Sequence, residues 1–193
     1  MPTVPMRGPL RRNAMNQQGA LYDFLFNLKE YINTLIPSAG LSLEAGAAPT
    51  LPTSTVACGT ALTFVAATHG GRRVLLDTAT GSTLTLPAAT GSQLEIEVAV
   101  SVLATSNSHI IKVANASDIM VGFVANQDTD TGNAFAGFNT TTTSDTITLN
   151  RGTTGSVTIG ERFKLTDVKA NVWMVEGYTT STGAPATPFS ATV

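Results

Sequence analysis

The sequence predicts a mainly β protein, an antiparallel β-sandwich or barrel preceded by an extended N-terminal arm and one amphipathic helix. Three observations predict it. From residue 60 onward the chain is a succession of short runs in which apolar and polar residues alternate, each closed by a turn signal, which is the period of half-buried strands. Thr occurs 31 times and Gly 17 times in 193 residues while charged residues supply only 12%, about half the share usual in a soluble domain. Finally, one strand-and-turn pattern occurs twice: Ser82-Thr-Leu-Thr-Leu-Pro87 closed by Thr90-Gly-Ser92, and Asp145-Thr-Ile-Thr-Leu-Asn150 closed by Thr154-Gly-Ser156.

Residues 1–12 carry prolines at 2, 5 and 9 together with Arg7, Arg11 and Arg12. Proline fixes φ and restricts the residue before it, so this stretch reads as an extended basic arm that becomes ordered only against a partner. The arginines suit an acidic protein surface as readily as phosphate. They are the candidate partner-binding residues of the chain.

Residues 13–36 change pattern. Leu21, Leu25, Leu28, Ile32 and Leu35 recur at 4-3-4-3 spacing, Asn13 is a plausible N-cap and Pro37 ends the run. That spacing puts all five on one stripe of a helix, and Phe24 with Tyr22, Phe26 and Tyr31 widens the apolar surface beyond it. So apolar a helix predicts docking or oligomerisation through Leu21, Phe24, Leu25, Leu28, Ile32 and Leu35, with packing inside its own domain as the alternative. Residues 37–59, with Pro37, Pro49 and Pro52 and the single charge Glu44, read as a linker.

Residues 60–193 form the β domain. Strands are expected at 61–67, 72–78, 82–87, 93–103, 108–114, 118–125, 133–138, 145–150, 156–166 and 171–179, parted by turns such as His69-Gly70-Gly71 and Gly132-Asn133. No helical period intervenes, so a parallel α/β sheet is not expected. The two copies of the repeated pattern lie far apart and their flanks diverge, which favours convergence on one strand-and-turn solution over duplication.

Chemistry is scarce. Cys58 is the only cysteine, which forbids an intrachain disulfide and suits a small apolar filler. His69 sits in a Gly-rich turn and His109 opens an apolar strand, with no cluster of ligands to make a metal site. Asp128-Thr-Asp130-Thr-Gly132-Asn133 has the alternating carboxylates of a calcium loop, but Asn139 stands where the closing glutamate of an EF-hand falls, so a hairpin loop is expected. Glu95, Glu97, Asp118 and Glu161 are the acids from which a carboxylate pair would have to be built, and Glu95 and Glu97 read more simply as the polar face of one strand. Trp173 reads as a core anchor rather than a sugar platform. There is no nucleophile elbow or phosphate loop, so no enzyme, no cofactor and no metal is expected. With a net charge of −2 nothing draws the chain to nucleic acid, and no apolar run is long enough for a membrane span.

Four stretches carry a likeness. Arg73-Val-Leu-Leu-Asp-Thr-Ala-Thr-Gly-Ser-Thr-Leu-Thr-Leu-Pro-Ala-Ala-Thr-Gly-Ser92, Asn107-Ser-His-Ile-Ile-Lys-Val-Ala-Asn115, Ser144-Asp-Thr-Ile-Thr-Leu-Asn150 and Leu165-Thr-Asp-Val to Val172-Trp-Met-Val175 resemble the β-rich module of tailed-bacteriophage virion surface proteins, the capsid decoration (cement) and head-fibre class. The resemblance spans about residues 60–190 and implies a virion location on the capsid surface after synthesis in the host cytoplasm. It further implies a homotrimer, no catalytic residues, and the major capsid protein or other virion proteins as partners. The expected function is therefore a decoration or cement subunit that binds the capsid lattice and stabilises the head. The alternative is a head- or tail-fibre, receptor-binding protein anchored by its N-terminal segment, with a host surface glycan as possible ligand.

Overall fold

The computed structural model describes residues 54–130, 132 and 134–193. The chain divides into two units between Pro52 and Thr53. The expected arm (1–12) and helix (13–36) lie outside the described residues, as does all but the end of the expected linker. The described chain holds β1 (Thr55–Ala57), β2 (Ala61–Thr63), one helical turn α1 (Ala66–His69), β3 (Arg73–Leu76), β4 (Thr83–Thr85), β5 (Glu95–Val100), β6 (His109–Lys112), β7 (Ile119–Asp128), β8 (Phe135–Asn139), β9 (Thr146–Leu149), β10 (Arg162–Lys169), β11 (Val172–Ser181) and β12 (Phe189–Ser190). Each of the ten expected strands has a counterpart, with two corrections of bounds: 61–67 is strand only over Ala61–Thr63 and turns helical at Ala66–His69, and 156–166 is strand only from Arg162 onward. β1 and β12 are additions, and β1 shows that strand pairing begins inside the stretch read as linker.

Alternation sets which face is buried. In β5, Ile96, Val98 and Val100 are buried while Glu95 and Glu97 face out, and the same phase runs through β3, where Val74 and Leu76 point inward. The strands form two sheets, one of seven in the order β1-β3-β5-β10-β11-β7-β8 and one of five in the order β12-β9-β6-β4-β2. Between them lies a core built from Val74, Ile96, Val98, Phe163, Leu165, Trp173 and Val175 on one side and Leu84, Leu86, Ile111, Val113, Ile147 and Leu149 on the other. Trp173 is fully buried and its Nε1–H donates to the Pro87 carbonyl at 3.2 Å, so it is the core anchor the sequence suggested, with its one polar atom satisfied.

The strands are mixed, which corrects the antiparallel expectation, and the two sheets do not close into a barrel. β1, β3 and β5 run parallel in the larger sheet while β2, β4 and β6 run parallel in the smaller. Parallel neighbours need a crossover, usually a helix. Here the chain alternates between sheets from β1 to β6, so each strand of one sheet is part of the crossover for the next pair in the other. Antiparallel pairing appears in the second half, where β10 pairs with both β5 and β11 and β9 pairs with β6.

This winding explains the repeated pattern. Its strands are β4 and β9, and they flank β6 on opposite sides: Leu84 is in register with Ile111, and Ile111 with Ile147. β4 runs parallel to β6 and β9 antiparallel, so the two copies point in opposite directions. Both copies lie beside β6 with leucine or isoleucine buried, Leu84 in one and Ile147 and Leu149 in the other.

Candidate functional site

Arg7, Arg11 and Arg12 and the stripe Leu21, Phe24, Leu25, Leu28, Ile32 and Leu35 all fall outside the described residues. The site that can be built residue by residue lies on the β domain, and it begins with where the charges go.

Most buried carboxylates close loops. Asp167, near the end of β10, accepts from the backbone N–H groups of Thr90, Gly91 and Ser92 and from the hydroxyls of Thr90 and Ser92, at 2.7–3.2 Å. Gly91 supplies a φ of +82°, and consecutive N–H groups so turned form a concave anion site. Burial alone would raise the Asp167 carboxyl, but the bonds from Ser92, Gly91 and Thr90 outweigh it and hold the group at about 2. The second Thr-Gly-Ser turn does the same with Glu161, just before β10, which accepts from Ser156, Val157 and Thr158 N–H and from the Thr180 hydroxyl at 2.6–2.9 Å. Asp145 ties down the C-terminus through Thr192 and Val193 N–H, and these bonds, with Thr146, hold its carboxyl below the usual range against the opposing pull of burial. Asp128 accepts from Asp130 and Gly183 N–H, which lowers its carboxyl in turn. These four acids are spent on architecture.

The remaining candidates follow suit. Asp118 is buried and accepts from Ala89 N–H and Asn115 Nδ2. Asp128 is also buried, so it belongs to the interior end of β7 rather than to a solvated loop. No group of three or more His, Cys, Asp or Glu residues positioned for a metal occurs among the described residues. His109 is buried at the start of β6, where Nδ1 accepts from Ser82 N–H at 2.9 Å and Nε2 lies 2.8 Å from the Val102 carbonyl. A backbone N–H can only donate, so the ring is neutral with its proton on Nε2. Cys58 is buried in the core, where burial and then the Asp77 carboxylate push its thiol up to about 11, which makes it inert as a nucleophile.

The outward face of the seven-stranded sheet is different. Register places Ala57, Leu75, Ala99, Arg162, Tyr178, Ala125 and Gly137 in one row across all seven strands. Beside it runs a second row, Glu97, Lys164, Glu176, Phe123 and Asn139. Phe135 stands opposite Gln127 at the other side of the first row, and Val121 opposite Met174 beyond the second. Small residues Ala125 and Gly137 thus form a trough between Phe123 and Phe135, with Tyr178 at its inner end. Phe135 is 68% exposed, Phe123 49%, Val121 47% and Tyr178 40%. Keeping one such side chain in water forgoes about 1.5–3 kcal/mol of burial, and together they make a contiguous exposed apolar patch.

The other half of this face is charged. Arg73 meets Glu97 at 2.7 Å and Lys164 meets Glu95 at 2.7 Å, so Glu95 and Glu97 are the polar outer face expected of their strand. Such exposed pairs contribute little to stability. The side chains of Arg162 and Glu176 make no hydrogen bond or close ion pair among the described residues, although Glu176 stands beside Lys164 in register and acts on it through charge. These groups line a hollow of about 430 Å³ over β5, β10 and β11, walled by Arg73, Glu97, Arg162, Lys164, Glu176 and Tyr178 and floored at Ala99 and Gly177. A broader depression of about 660 Å³ on the smaller sheet is lined by Thr60, Thr80, Thr83, Asn107 and Thr148, without an aromatic or a charge.

Sequence reasoning did not single out Phe123, Phe135, Tyr178, Arg162 or Glu176. One signal was there: the run Ile119-Met-Val-Gly-Phe-Val-Ala125 is apolar on both phases of its alternation, and a strand with one buried face should not be. Once Met120 and Val124 point inward, Val121 and Phe123 must point out. The chain matches no family model, no curated protein and no solved structure.

Proposed function

We propose that this chain is a structural protein of a tailed-phage virion, a capsid decoration or cement subunit that binds the major capsid protein lattice and stabilises the head, without a catalytic step of its own. The observation that carries a structural role is the use of its acids: Asp167, Glu161, Asp145 and Asp128 each close a loop through backbone N–H groups, so the side chains best able to do chemistry brace the domain instead. Loops held in this way suit a domain that must keep its shape on a particle surface. The likeness of residues 60–190 to virion β modules supports the phage assignment. Attachment falls to Arg7, Arg11 and Arg12 and to the stripe from Leu21 to Leu35, whose apolar surface fits a lattice neighbour or the sister subunits of a homotrimer, where symmetry repeats each contact.

The test is co-sedimentation with capsids of the parent phage. The full chain should pellet with capsids and raise their resistance to heat, whereas a chain lacking residues 1–36 should keep the circular dichroism of the β domain and stay in the supernatant. Undiminished binding by that truncation, or labelling of tails rather than heads in negatively stained virions, would overturn the assignment.

A further inference from the structure

We propose that the outer face of the seven-stranded sheet is a binding site for a neutral saccharide, seated in the trough between Phe123 and Phe135 and extending past Tyr178 to Arg162 and Glu176. It is independent of how the arm and helix attach.

Three observations converge. Phe123, Phe135 and Tyr178 are the exposed aromatics among the described residues, and all three project from this one face while Phe64, Phe163, Trp173 and Phe189 are buried. Aromatic rings have an apolar face, and the C–H side of a pyranose ring is an apolar surface that can lie against it. Second, Arg162 stands directly across from Tyr178, and Glu176 directly across from Phe123, so beside each of these two rings is a planar polar side chain with no hydrogen bond or close ion pair among the described residues, Glu176 meeting Lys164 only through longer-range charge. Arg162 only donates hydrogen bonds and Glu176 only accepts them. A ligand that satisfies both must donate and accept at neighbouring positions, and vicinal hydroxyls do so.

Third, the charges cancel. Arg73, Arg162 and Lys164 face Glu95, Glu97 and Glu176 across the same strands, so the surface offers no net attraction to a phosphate or an acidic chain. The hollow of about 430 Å³ over β5, β10 and β11 is bounded by Tyr178, Arg162 and Glu176 but not by Phe123 or Phe135, so it would take the part of the ligand that extends past Tyr178, and its size falls within the ~300–1,000 Å³ of small-molecule sites. The depression on the smaller sheet has hydroxyls but no ring on which a sugar could stack.

The experiment uses the full chain against an immobilised panel of neutral oligosaccharides built from glucose, galactose, mannose and N-acetylglucosamine, with sialylated and sulfated glycans alongside, followed by titration calorimetry of the hits. Neutral sugars should bind. Tyr178→Ala should weaken binding by about tenfold or more and Arg162→Ala or Glu176→Gln by about three- to tenfold, while Val65→Ala, exposed elsewhere, leaves it unchanged. These positions are exposed, and unchanged thermal unfolding shows that each variant is folded. The proposal fails if no neutral glycan binds at about 10 mM, if only acidic glycans bind, or if the three variants bind as the parent does. It also fails if sedimentation equilibrium shows the parent self-associating through this face and Phe123→Ser with Phe135→Ser abolishing it, since the occupant is then a second copy of the chain.

Discussion

Glu161 and Asp167 stand at the two ends of β10, and each carboxylate is received by one of the two Thr-Gly-Ser turns, Glu161 by Ser156 and its successors and Asp167 by Thr90, Gly91 and Ser92. One strand therefore pins two loops that are 64 residues apart in the chain, counted from Gly91 to Gly155. Because β10 is also bonded to β5 and β11, the loops are tied to the middle of the larger sheet.

Replacing Asp167 by Asn should destabilise the domain by roughly 2–4 kcal/mol, since buried donors lose a charged acceptor and meet an amide N–H₂. Urea unfolding at neutral pH measures it. Glu161→Gln should act in the same direction.

The same residue sets an acid limit. Its folded carboxyl lies at about 2 against an ordinary 3.8, so its contribution is fully present above about pH 5 and disappears as pH falls towards 2, because the unfolded chain takes up the proton first. That loss is of order 2 kcal/mol. Urea titrations across this range should show the Asp167→Asn variant with a shallower loss of stability than the parent; equal slopes would show that the Thr90–Ser92 turn does not depend on the charge.

Leu84→Ala and Ile147→Ala should each cost about 2–5 kcal/mol, as fully buried aliphatics do. Both side chains neighbour Ile111, so the double variant should depart from additivity by about 0.5 kcal/mol or more, measured by a double-mutant cycle in denaturant.

His109→Ala should cost about 2–4 kcal/mol, by opening a cavity and leaving the Ser82 N–H and the Val102 carbonyl without partners. His109→Gln, which can restore one bond, should recover part of it in thermal unfolding.

Cys58 should resist an aromatic disulfide reagent in the native protein at neutral pH and react at once in denaturant, because its thiol is buried and shifted to about 11. Rapid native labelling would show that the β1–β2 region opens.

Much of the fold was legible from local pattern. The alternation in Glu95-Ile-Glu-Val98 and Thr83-Leu-Thr85 sets both the strand and its buried face, because side chains in a strand alternate regardless of partner. Pairing direction was not legible: nothing local to β3 or β4 distinguishes a parallel neighbour from an antiparallel one, and only the alternation of the chain between sheets makes these parallel. Asp167 was equally opaque. Its role depends on a turn 75–77 positions earlier, and no motif marks a carboxylate for a distant loop.

By itself the sequence determined the mainly β class, the approximate places of ten strands, the inward phase of the leucines and isoleucines that alternate with threonine in β4 and β9, and the anchoring role of Trp173, all consequences of a two-residue period and of burial. The tertiary structure alone decided that the two threonine-rich copies embrace β6 from opposite sides, that Asp167 and Glu161 fill the turns closing those copies, and that Phe123, Phe135 and Tyr178 meet on one open face. Those facts depend on register and strand order, which arise from contacts between residues far apart in the chain.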